Sequence, residues 1–165
     1  MQSDGAKLSF DFDSAYWMRG LEPSDPVKGV ARVDARSLAI PERGHTTVPE
    51  AGGPATPDQT GPYAMTGQAW RLGDTALAER RNAFEATLSG AAAVGFDLER
   101  MQLDADRTLT ASVTTGSALR LTLTGAFGRR VVVTVDGRRA TVARSGRRLA
   151  VAVPSGHHRV VVRPA

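Results

Sequence analysis

Three histidines, two pairs of closely spaced aspartates and a late run of arginines are the side chains here whose type and spacing could do chemistry. His45 lies between Glu42 and Glu50 in a Pro/Gly-rich stretch and could act as a base, but no residue near it qualifies as its nucleophile. A small hydrolase using His45 with carboxylates of the first half is therefore the catalytic alternative. His157 and His158 are adjacent, so on a strand they face opposite ways and cannot easily share an ion, whereas a metal site needs three or four convergent ligands. Asp11 with Asp13, and Asp104 with Asp106, are i, i+2 pairs. On a strand such carboxylates share a face about 7 Å apart, a spacing that suits calcium or glycosidic chemistry in a cleft. "LDADRT" reads instead as a turn, and Asp11 and Asp13 as the wet face of a first strand.

The chain has no cysteine, which excludes disulfides, thiolate-bound zinc and thiol catalysis. It carries no G-x-S-x-G elbow, no G-x-G-x-x-G after a strand and no Walker loop. No catalytic residue, no metal ligand and no cofactor is assigned.

Charge is uneven. Residues 1–110 hold 11 Lys and Arg against 16 Asp and Glu, while residues 111–165 hold 10 Arg against the single acid Asp136. Arg129, Arg130, Arg138, Arg139, Arg147 and Arg148 are the candidate polyanion contacts, able to hold phosphate or sulfate. Readers of single-stranded nucleic acid add aromatic platforms, and Phe127 is the sole aromatic after residue 100, so nucleic acid is disfavoured. The competing reading is a solvated strand face whose arginines guard the edges. Arg outnumbers Lys 19 to 2, which a GC-rich genome also produces. Tyr16, Trp17, Tyr63 and Trp70 are the ligand- or partner-binding candidates, all within the first 70 residues. Aromatics at one end of a sandwich can stack on sugars or cover a partner; core packing competes for Trp17.

The elements that must position these residues show a period of two. "KLSFDF" alternates through Leu8, Phe10 and Phe12, and "VARVDARSLAI" through Ala31, Val33 and Ala35. From 41 to 73 proline and glycine dissolve the pattern into a long connection, with a short strand near "YAMTGQAW". Thr75 to Arg81 reads as a helical turn or two. Strands then resume with Phe84, Ala86 and Leu88 inward, followed by Val94, Phe96 and Leu98. Met101 and Leu103 plug the core from a turn, and "LTASVTT" and "ALRLTLTG" follow. Val131, Val133 and Val135 lead into Asp136-Gly137, a hairpin signal. The returning strand carries Ala140 and Val142, the next Leu149, Val151 and Val153, the last Val160 and Val162, with Ser-Gly turns between. The expected fold is all-β, a two-layer antiparallel β-sandwich of jelly-roll or immunoglobulin-like type with a long Pro/Gly-rich loop. Residues 1–74 form N-terminal strands plus irregular connection and 75–165 the sandwich core, one compact domain overall. The composition, 41% hydrophobic and 23% charged, is that of a globular protein, with no apolar run long enough for a membrane span.

Several phrases carry a resemblance. "FDSAYWMRGLEPSD", "ARVDARSLAIP", "GPYAMTGQAW", "NAFEATLSGAAAVGFDLERMQLD" and "VTTGSALRLTLTG" resemble the β-rich segment that follows the catalytic domain in some secreted actinobacterial hydrolases of the α/β-hydrolase and related classes. "VAVPSGHHRVVVRP" is similar to the closing strands of bacterial accessory β-sandwiches, where a Gly-His turn enters the last strand. The resemblance brings no catalytic motif. It implies a non-catalytic accessory domain, packing on the catalytic domain of a hydrolase or binding a polysaccharide or other polymer surface. It also implies an extracellular location as part of a larger exported protein. The opening residues do not read as a signal peptide, so a cytoplasmic protein is the alternative, as is a free-standing polyanion- or carbohydrate-binding protein using the arginine-rich sheet. Oligomeric state is left open.

Overall fold

Alternation of apolar and polar residues turns into two layers. The computed structural model describes residues 16–25, 27, 30–40, 45–49, 68–72 and 79–165, with 45–49 and 68–72 described by their backbone. The chain divides into two compact units, residues 1–40 with 80–165, and residues 41–79.

The strands of the larger unit are β1 (Met18–Pro23) and β2 (Arg32–Ser37), then β5 (Ala83–Ser89), β6 (Ala91–Asp97), β7 (Leu109–Thr115) and β8 (Leu119–Thr124). They continue with β9 (Val131–Val135), β10 (Arg138–Arg139), β11 (Val142–Ser145), β12 (Arg148–Val153) and β13 (Gly156–Pro164). Between β2 and β5 come β3 (His45–Pro49) and β4 (Gln68–Leu72) of the smaller unit, an antiparallel pair with Thr47 opposite Trp70 and His45 opposite Leu72. One sheet of the larger unit has the order β1-β6-β8-β12-β11 and the other β10-β9-β13-β7-β5-β2. No helix forms among the described residues. The protein is an all-β two-layer sandwich.

The sheets are mixed rather than purely antiparallel: β5 pairs with β7, and β6 with β8, in parallel. The chain path explains this. At Gly90 the chain leaves β5 and enters β6 of the opposite sheet, and the loop 98–108 brings it back to β7. Residues 116–118 then repeat the first crossing into β8. Two successive arches of the same sense stack, so like strands lie side by side and parallel. Gly90 has φ +65°, and a Cβ there would stand 2.4 Å from the Val30 carbonyl oxygen, so only glycine fits the first arch.

Inward positions fill the gap between the layers. Phe84, Leu88, Val94, Phe96, Leu121 and Val113 are all buried, and the Phe84 and Phe96 rings meet 5.2 Å apart across it. Met101 and Leu103 plug one end, as their spacing predicts. Asn82 ties their loop down: its side chain donates to the Asp104 and Thr108 carbonyls and accepts from the Asp104 amide. Buried Ser37 donates to the Met101 carbonyl at 2.7 Å. Burial of this many apolar side chains, about 1.5–3 kcal/mol each, is what offsets the chain entropy here.

Three expectations change in detail. The strand returning from the Asp136-Gly137 turn breaks after Arg139, and Val142 belongs to β11 in the other sheet. The strand expected near "YAMTGQAW" begins at Gln68, and β3 in "HTTVP" was not foreseen beside Pro49. Glu79–Arg81 is not helical, and residues 75–78, like the strand expected in "KLSFDF", lie outside the described residues.

Candidate functional site

Outward positions of the five-stranded sheet make an open groove of about 420 Å³. Strand register places its parts. Arg19, Gly95, Thr122, Ala150 and Ala143 form one row across the strands. On one side of it run Glu22, Ala93, Arg120 and Ala152, and on the other Asp97, Thr124, Arg148 and Ser145. The floor is therefore small and the rim charged. Glycine inside a strand usually marks a bulge or a close approach, and Gly95 does both. Its missing side chain leaves the floor open, and a Cβ there would come 3.1 Å from the Arg19 carbonyl oxygen. Opposite it β1 carries a bulge, where Gly20 has φ +57° and the register slips between Arg19 and Glu22.

The rim charges are not equivalent. Arg120 Nη2 donates to both carboxylate oxygens of Glu22, at 2.8 and 2.9 Å. Asp97 is engaged by Arg100, through its backbone amide and a 3.7 Å ion pair. Arg19 and Arg148 have no such partner among the described residues.

The arginines singled out by sequence do not form one surface. Arg148 stands on the groove. Arg147 is spent on Glu99 at 3.0 Å. Arg129, Arg130 and Arg139 line a separate hollow of about 300 Å³, beside Val131 and Val142, while Arg138 is exposed on β10. Arg144, also at that hollow, is structural: it donates to the carbonyls of Phe127, Gly128 and Arg129 and so clamps the loop into β9.

The aromatic candidates separate too. Tyr16 is 73% exposed, holds a positive φ of 33° and stands edge-on to Trp17 at 5.4 Å. Its carbonyl accepts from Arg100 at 2.8 Å. Trp17 packs against the core, and its carbonyl accepts from the Asp97 amide. Trp70 is placed by its backbone in β4, and Tyr63 lies outside the described residues. Tyr16 and Trp17 thus precede the groove strand β1, and neither lines the groove.

The histidines have other duties. His45 is the first residue of β3. His157 Nδ1 shares a hydrogen bond with the Thr114 hydroxyl at 3.0 Å. His158 faces an acceptor at each ring nitrogen, the Asp136 carboxylate at 2.7 Å and the Ser155 carbonyl at 3.1 Å. Both favour the protonated ring, the carboxylate bond more, so the His158 pKa lies above its ordinary value. The same bond, helped by the Arg159 amide, holds the Asp136 carboxyl below its own. This latch fixes the hairpin turn, where Asp136 and Gly137 have φ +50° and +79°, both positive as a type I′ turn requires.

No cluster of three or more metal-ligating acids and imidazoles occurs among the described residues, and no helix there is long and apolar enough to cross a membrane. Gly95, Arg19 and Glu22 escaped sequence reasoning; the glycine in mid-strand was the signal that could have found them. Comparison of the chain with protein-family models, with curated proteins and with solved structures finds no match.

Proposed function

We propose that this chain is a non-catalytic accessory sandwich that binds an extended polymer in the groove of its five-stranded sheet, in association with a secreted hydrolase. The observation that carries the reading is the floor of Gly95, Thr122, Ala150 and Ala143, made of small residues and bordered by charge. A polymer chain suits an open groove better than a closed pocket does, because both its ends must continue beyond the site. The resemblance to accessory segments of hydrolases supports the same reading. Affinity electrophoresis against a panel of soluble polysaccharides tests it: one of them should retard the wild type, and Thr122→Trp, which fills the floor, should abolish the retardation. A folded protein retarded by none of the panel refutes the reading.

The hollow beside Arg129, Arg130 and Arg139 favours a second reading, a polyanion binder. Heparin retention that falls steeply with salt, and is lost in Arg129→Gln/Arg130→Gln, is its expected sign. Elution of the wild type at low salt leaves these arginines as ordinary surface.

A further inference from the structure

The charges around the groove say what kind of polymer it takes. Of the four arginines on its strands, Arg120 is neutralised by Glu22 and Arg144 is held by the carbonyls of Phe127, Gly128 and Arg129, whereas Arg19 and Arg148 stand without a partner among the described residues. The other acid lining the groove, Asp97, is already held by Arg100. Two guanidinium groups with no acidic partner among the described residues therefore border one groove. They stand on β1 and β12, separated by β6 and β8. Three strand spacings and the two-residue offset between their rows put their backbones about 16 Å apart. Between them lies the floor of Gly95, Thr122 and Ala150.

We infer that the groove binds an acidic polysaccharide, with carboxylates of non-adjacent sugar units held by Arg19 and Arg148 and the intervening sugars laid across the floor. The inference rests on the polymer-binding reading and narrows it to one chemical class. Guanidinium groups match carboxylates in geometry and charge. Thr122, Thr124 and Ser145 add hydroxyls that can bond to sugar hydroxyls along the way.

An acidic peptide would meet the same charges, but the site does not suit it. Peptides that bind sheets add to an open edge by main-chain hydrogen bonds and place alternate side chains in pockets. This groove crosses the face, where β6, β8 and β12 are paired with neighbours on both sides, and its floor has small side chains in place of pockets.

Calorimetry of the full chain with polygalacturonate, fully methyl-esterified polygalacturonate and poly-L-glutamate tests this. Polygalacturonate should bind, more weakly as NaCl rises from about 0.05 M to about 0.5 M. Esterification should remove the binding. Arg19→Gln/Arg148→Gln should weaken it about tenfold or more, as loss of charge-assisted hydrogen bonds does. Arg163→Gln, exposed on β13 of the other sheet, should leave it unchanged. An esterified chain bound as tightly as the acid overturns the acidic assignment and leaves the groove reading standing. Poly-L-glutamate bound equally well through the same two arginines overturns the glycan assignment. Polygalacturonate binding that survives Thr122→Trp places the acid elsewhere and overturns the inference. Binding to none of the three, while a neutral polysaccharide binds in the groove, overturns this inference alone; binding to nothing overturns the polymer reading with it.

Discussion

The two outer faces of the sandwich are built from the same alternation and come out differently. On the six-stranded sheet, outward neighbours satisfy each other: Arg36 meets Glu85 at 3.8 Å, and Thr114 meets His157 at 3.0 Å. The space left there is divided into smaller hollows, one of about 260 Å³ among Arg81, Glu85, His157 and Arg159 and one of about 210 Å³ among Asp34, Arg36, Glu85 and Thr87. On the five-stranded sheet the central outward positions are Gly95, Ala93, Thr122 and Ala150, too short to reach one another, and the long side chains stand at the border. A hollow on a sheet face is thus made by withholding side chains. Complementary partners standing opposite one another close the surface instead.

Both faces rest on one core, so the largest effect is expected there. Phe96→Ala removes a buried ring in contact with Phe84 of the other sheet, and should cost about 3–5 kcal/mol in urea unfolding. A loss under about 1 kcal/mol would mean that the layers do not share a packed interior. The comparison itself is tested by a mirrored pair of substitutions. Thr122→Trp should lower polymer affinity at least about tenfold, whereas Thr87→Trp, on the exposed face of the six-stranded sheet, should change it less than about twofold. Equal effects would erase the distinction between the faces.

The His158–Asp136 latch gives a smaller, pH-dependent effect. The His158 pKa is raised in the fold, so its contribution is complete below the ordinary 6.5 and is lost as pH rises through the folded value. The Asp136 pKa is lowered, so its contribution is complete above the ordinary 3.8 and is lost as pH falls through the folded value. Stability from the latch is greatest between these limits. Tm of the wild type should fall from pH 6 to pH 8 relative to His158→Gln; parallel curves would show that the latch is neutral. The smallest effect belongs to the exposed Arg120–Glu22 pair, whose double-mutant cycle should give about 0.2–1 kcal/mol. A larger coupling would mean that the pair is part of a rigid rim.

Most of the sandwich was legible because its signals are local. Alternation marks each strand's inner face, and Asp136-Gly137 announces its turn through the positive φ it requires. The parallel pairs were not legible, since β5 finds β7 only after an excursion through the other sheet. The break after Arg139 was hidden for a related reason: Ala140 and Val142 keep the period while the chain changes layer. The groove was hidden because its residues come from strands far apart in sequence, and small residues advertise nothing singly. Arginine, by contrast, drew attention in proportion to its number, and Arg144 and Arg147 proved to be engaged within the protein.

The stacked arches also decide where the sandwich is vulnerable. β1 flanks β6 on one layer, β2 flanks β5 on the other, and both flanking strands come from the N-terminal part of the chain. They cover the flanks of β6 and β5. Should that segment peel away, two ribbons of alternating apolar residues would be bared at once, each with a free row of amides and carbonyls ready to template self-association.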